Sequence, residues 1–154
     1  MRKISLDIGS GSYTRGTINI DVNFNWSSPF MHSWKYDELI APKNEDGDKV
    51  LADANYPLPF RDNVFDEVYL VHVIEHLLRP YECLCEVKRV LKKNGIVKVV
   101  VPNAQKNLAD WRDNEHVFSF TKPTITRLIK KLFKVKEVRL LFNDEDIYVM
   151  AVKE

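Results

Sequence analysis

Leu6-Asp7-Ile8-Gly9-Ser10-Gly11 ends the first readable strand of this chain on two glycines, and the reading of the fold starts there. Lys3 to Ile8 alternates apolar and polar residues, as a strand does, and then stops. Glycines directly after a strand let the backbone turn sharply and approach a ligand with no Cβ in the way. Further runs of the same kind follow. Thr17 to Val22 alternates again and carries Asp21 near its end. Val50 to Ala52 is a short apolar burst closed by Asp53. Phe65 to Val73 is longer, and Ile96 to Val101 is strongly β-branched and closed by Pro102-Asn103. Such runs read as buried strands.

Two stretches switch to the helical period. Cys83, Leu84, Val87, Val90 and Leu91 form an apolar stripe opposite Glu82, Glu86, Arg89 and Lys93. A helix is expected from about Pro80 to Lys93, with proline in its first turn and Asn94-Gly95 as its stop. A second helix begins near Pro123 and spaces Ile125, Leu128, Ile129, Leu132 and Phe133 along one face. Val135 to Phe142 and Ile147 to Val152 then read as two strands joined by a turn at Asn143-Asp144-Glu145-Asp146. Strands alternating with helices, followed by a hairpin, imply an α/β fold built on a mostly parallel sheet with one antiparallel C-terminal strand. Asn23 to Lys49 is expected as a partly helical excursion over the sheet edge. It holds Phe24, Trp26, Phe30, Trp34 and Tyr36 among turn formers, which either pack or form a lid.

The 154 residues suit one domain, taken as 1–154. Apolar residues make up 45% and charged residues 29%, with a net charge of +1, so total charge calls for neither nucleic acid nor a membrane surface. No apolar run reaches the roughly 20 residues of a spanning helix. No signal-peptide pattern precedes the first strand. Cys83 and Cys85 stand too close for a disulfide and lack a second pair for structural zinc, so the expected setting is reducing and cytoplasmic.

In open α/β sheets ligands sit at the carboxyl ends of the strands. The glycine turn, Asp21, Asp53-Ala54, and the segment Pro57-Leu58-Pro59-Phe60 leading to His72-Val73-Ile74-Glu75-His76-Leu77 all fall there. In this order the motifs resemble the class I S-adenosylmethionine-dependent methyltransferases, and most closely a compact subgroup of them with a Rossmann-like sheet. The resemblance runs from about Ser5 to Asn103, with weaker agreement through Glu115-His116-Val117 and the final hairpin. It implies S-adenosylmethionine as cofactor. Asp7, Gly9, Ser10 and Gly11 would cradle its methionine part, Asp21 its ribose, and Asp53-Ala54 its adenine. Val71 and His72 would lie beside it. One departure stands out: only Gly9 to Gly16 separate the first two strands, less than a helical crossover needs. The first helix is therefore expected to be shortened or absent, which leaves one wall of the cofactor site more open. The link from Asp53 to Phe65 is also too short for a normal helix.

The implied activity is methyl transfer to an acceptor the sequence does not name, with a sugar or other small-molecule hydroxyl as first guess. His116 is the candidate general base, because it follows the fifth strand on the side where acceptors bind. The alternatives are a degenerate cofactor-binding subunit acting with a partner, and a nucleic-acid methyltransferase. The latter would use the basic stretch Lys122, Arg127, Lys130, Lys131, Lys134, Lys136 and Arg139. A nicotinamide site is disfavoured, because Thr14 stands where a third glycine is needed and Asp21 comes too early. His72-x-x-Glu75-His76 matches a zinc-peptidase pattern. A strand end between the two histidines would keep them off one helical face, so no metal is expected.

Overall fold

The computed structural model describes residues 3–25, 33–106 and 115–154. Its alternating runs become the strands of one seven-stranded sheet, in the order β3-β2-β1-β4-β5-β7-β6. The strands are β1 (Ser5–Ile8), β2 (Ile18–Asp21), β3 (Asp48–Leu51), β4 (Phe65–Val71), β5 (Leu91–Pro102), β6 (Lys134–Leu141) and β7 (Asp146–Val152). Strands β3, β2, β1, β4 and β5 pair in parallel, while β7 runs antiparallel to both β5 and β6. The expected mostly parallel sheet with an antiparallel C-terminal strand is what forms.

Strand alternation divides the core between the two faces. Leu6, Ile8, Val68, Leu70, Val97, Val99, Ile147 and Val149 point to one face. There α1 (Pro80–Val90) buries Cys83, Leu84, Val87 and Val90, and α2 (Lys122–Lys130) buries Ile125 and Ile129. The α2 helix starts on a capping box between Thr121 and Thr124. Tyr69, Val71, Val100 and Tyr148 point to the other face, where Tyr36 and Ile40 cover them. These two come from the expected excursion, of which a 3-10 turn at Ser33–Tyr36 is described. Trp26 and Phe30 lie outside the described residues.

Between β1 and β2 there is no helix. The crossover Gly9 to Thr17 instead lies back over the polar residues of its own strands. Such a loop must find partners for its backbone groups. Asp7 Oδ2 accepts from Arg15 N–H (2.9 Å), and Asn19 Oδ1 from Gly16 N–H (2.8 Å). Ser5 and Thr17 exchange side-chain and backbone bonds. The alternation of Lys3 to Ile8 and Thr17 to Val22 thus has a second use, since its polar half replaces the missing helix. Likewise no helix forms between Asp53 and Phe65. Glu86 accepts from Leu58 N–H (2.8 Å), and Arg89 donates to the carbonyls of Leu58 and Phe60, which ties that link to α1.

Several expected boundaries move. Strand β3 runs Asp48–Leu51 in place of Val50 to Ala52, and β4 ends at Val71, two residues before Val73. The first helix ends at Val90, three residues before Lys93, and Leu91 already pairs with Phe65 as β5. Asn94-Gly95 is a kink inside β5, not a helix stop. Asn94 takes a φ of 63°, while its N–H donates to Lys153 O and Gly95 O accepts from Lys153 N–H. The hairpin turn begins one residue early: Phe142, Asn143 and Asp144 all have positive φ, and Asp146 already belongs to β7.

Candidate functional site

At the carboxyl ends of β1, β2 and β4 lies a cleft of about 460 Å³, within the usual size for a small-molecule site. Gly9, Asp21, Asp53, Ala54 and His72 line it, as do Asn23, Asn55, Val73, His76 and Glu115. Gly9 leaves no room for a side chain there. The residue has a φ of 67°, and a Cβ there would stand 2.5 Å from Val73 Cγ2. Gly11, also at positive φ, donates its N–H to Asp21 Oδ2 (2.7 Å), and Asn23 N–H donates to Asp21 Oδ1 (2.9 Å). Two main-chain donors therefore fix the Asp21 carboxylate at the wall, with lone pairs left over for a ligand hydroxyl. Asp53 Oδ1 accepts from both nitrogens of Asn55, and Asn55 Oδ1 accepts from Leu78 N–H (2.8 Å). Val71 ends β4 inside the second-face core. Asp7 is wholly buried and turned toward Arg15, and burial pushes its carboxyl up to about 7.

Behind the cleft lies a network that the sequence does not announce. His72 leaves β4 with a φ of 54°, a conformation uncommon outside glycine. Its Nε2 is 2.8 Å from the Tyr36 hydroxyl, which donates to Asp146 Oδ2 (2.8 Å). Its Nδ1 is 3.3 Å from Glu75 Oε1. Both ring nitrogens thus face acceptors, as an imidazolium requires. Burial disfavours that cation, but Glu75 and Asp146 outweigh it and hold the His72 pKa above its ordinary value. Burial beside Asp146 raises the Tyr36 hydroxyl, and burial raises Asp146 against the pull of His72. Of these groups the sequence singles out His72 and Glu75 in one segment, while Tyr36 shows only as part of an aromatic-rich stretch and Asp146 only as a turn aspartate. Their meeting depends on β7 lying beside β5.

His116 lies at the cleft's border. Its loop is pinned where Val117 and Phe118 N–H donate to Glu75 O, at 2.8 and 3.0 Å. The His116 ring packs edge-on against His76, with centroids 4.6 Å apart, while Glu115 faces the cleft. The expected strand end between the two histidines falls earlier: β4 stops at Val71, so both follow it, and only His76 belongs to the 3-10 turn Ile74–His76, which leaves them no shared helix face. Trp111 lies outside the described residues. The basic residues Lys122, Arg127, Lys130 and Lys131 border a separate open depression along α2. Among the described residues no helix is long and apolar enough to cross a membrane.

A family model described as a methyltransferase domain matches residues 31–99. A chain from Haloferax volcanii, solved in complex with the Trm112 methyltransferase activator, superposes with a TM-score of 0.72. The superposition covers 98% of this chain and 82% of that one at 15% identity. An S-adenosylmethionine-dependent methyltransferase from Mesorhizobium loti gives 0.69 at 13% identity, covering 98% and 91%. The chain has the class I methyltransferase fold. An uncharacterized protein of Methanocaldococcus jannaschii is 28% identical over 95 residues, which is 62% of this chain and 40% of that protein. This methyltransferase fold thus spans less than half of that curated relative.

Proposed function

We propose that this methyltransferase-fold chain binds S-adenosylmethionine in the β1-β2-β4 cleft and transfers its methyl group to a small-molecule acceptor. The reading rests on the Asp21 carboxylate, fixed by Gly11 and Asn23 N–H at the cleft wall. A carboxylate held in this way suits the two hydroxyls of a ribose. Gly9 leaves the backbone bare beside it, and Asp53 to Asn55 offer polar atoms farther along for a purine edge. Asp7, Ser10 and Gly11 act by shaping the glycine turn, Asp7 through the Arg15 N–H. His72 closes the site from the β4 side, while Val71 packs into the second-face core behind it. The cofactor supplies an already activated methyl, so the protein has chiefly to align the acceptor and exclude water. His116, bordering the cleft beyond His76, stands on the acceptor side.

Calorimetry with S-adenosylhomocysteine tests this reading, with one site per chain expected. Asp21→Ala should weaken binding by about 1–3 kcal/mol, the usual effect of removing a charged hydrogen-bond acceptor. Folded protein that gives no heat at millimolar ligand would refute the assignment. Labelled cofactor with a panel of small hydroxyl and amine acceptors, and an oligonucleotide arm for the basic depression on α2, then identifies the substrate.

A partner-dependent subunit is the second reading. Edge strand β3 exposes Leu51 at 74%, next to Val22 at 67%. The Haloferax volcanii neighbour was itself solved with an activator. Methyl transfer by the isolated chain would exclude this reading.

A further inference from the structure

Glu75 is wholly buried, yet neither of its carboxylate oxygens accepts a hydrogen bond from a described residue. A buried carboxylate demands compensating charge or donors. Its neighbours supply only part of this. His72 Nδ1 stands 3.3 Å from Oε1, but the same ring also serves Asp146, whose Oδ1 is 3.7 Å from Nε2. Two buried carboxylates therefore lean on one imidazole.

On its other side Glu75 meets two more imidazoles. Glu75, His76 and His116 each bring one ligand atom within 4.8 Å of the others. The His76 ring is already turned for the task. Its Nδ1 stands 3.2 Å from Glu115 O, which places the proton on Nδ1, and its Nε2 stands 3.9 Å from Glu75 Oε1. An imidazole that donates one N–H to a carbonyl and offers its other nitrogen is the usual arrangement of a metal ligand. His116 is delivered by the chain itself, since Val117 and Phe118 N–H hold its loop on the Glu75 carbonyl.

We propose that Glu75, His76 and His116 bind a divalent transition-metal cation, zinc or a cation of similar preference, at the rim of the cleft. Two imidazoles and one carboxylate suit zinc with a fourth position open, whereas magnesium and calcium prefer all-oxygen sets. A cation ~2.0–2.1 Å from each ligand atom draws the three to roughly 3.4 Å apart, within reach of side-chain rotation. The open position adjoins the cleft that His76 and Glu115 line. Metal binding itself does not depend on the methyl-transfer reading. If both hold, the cation lies beside the acceptor and could take one of its oxygens. His116 is then a ligand and not a proton acceptor.

The test uses the whole chain freed of metal by a chelator. Cobalt(II) should develop the visible absorption of a four-coordinate site, and calorimetry with zinc should show one equivalent per chain. Glu75→Gln, His76→Ala and His116→Ala should each lower zinc affinity by at least about 100-fold. The two histidine variants alter partly exposed residues, so they carry the test should Glu75→Gln fail to fold. His116→Ala should leave S-adenosylhomocysteine affinity unchanged. Zinc uptake equal in wild type and both histidine variants, or no cobalt absorption in folded protein, overturns the proposal. Metal binding without S-adenosylhomocysteine binding refutes only the cofactor reading, and the reverse refutes only the metal site.

Discussion

Asp7 links the glycine turn to the pH response of the fold. In an unfolded chain such a carboxyl ionises near 3.8, but here burial raises the value to about 7. The folded state thus holds this proton more tightly than the unfolded state does. Its contribution to stability is complete below about pH 4, declines as pH rises, and levels off above about pH 7. The difference amounts to at most about 4 kcal/mol. Asp7→Asn removes the titrating group and keeps an oxygen for the Arg15 N–H. Denaturant midpoints between pH 5 and 8 should therefore fall with rising pH in the wild type relative to the variant. Parallel profiles would show that Asp7 is ionised throughout. At this scale the cleft residues Gly9, Asp21 and Asp53 are legible, because they follow strands at the carboxyl edge, where open α/β sheets place ligands. Tyr36, Glu75 and Asp146 are not, because their roles arise from contacts between distant parts of the chain.

Among the elements, the helix-free crossover is the most sensitive to substitution. A Cβ on Gly16 would stand 2.3 Å from Ile18 O and 2.7 Å from Asp7 N, both backbone atoms that cannot rotate aside. Gly16→Ala should therefore lift the loop off the sheet and cost about 1–3 kcal/mol, as overpacking does. Thermal melts would show it, and a melt unchanged within error would mean that the loop relaxes freely. The missing helix could be read from chain length alone, as could the strands and their hairpin. The boundary at Val90 could not. The stripe through Cys83, Leu84, Val87, Val90 and Leu91 continues the helical period, but Leu91 is buried as a strand residue paired with Phe65. Pairing with a neighbouring strand overrides local propensity there. The early turn at Phe142 has a similar origin, since Asn103 N–H and side chain donate to the carbonyls of Glu145 and Asp144 and hold the turn from outside.

Taken whole, the molecule is uneven. Strands β1, β2 and β3 are four residues each, with no α-helix among the described residues that join them, while β4 to β7 are seven to twelve residues long, with α1 and α2 packed on their side of the fold. The candidate cleft draws on the short half. Binding of S-adenosylhomocysteine at 100 times its dissociation constant should raise unfolding free energy by about 2.7 kcal/mol, visible as a shift in melting temperature. The unevenness has a further consequence for amide exchange. Pairing Ser5 with Glu67 joins residues far apart in sequence, whereas β4, α1 and β5 follow one another directly. The short half should therefore open as a separate cooperative unit, below the free energy of global unfolding. Deuterium should enter Leu6, Ile8 and Ile20 before Val68 or Val99. Ligand should slow the first group far more than the second. The pocket would then exist only while its own weakest strands stay closed, so occupancy and local order report on each other.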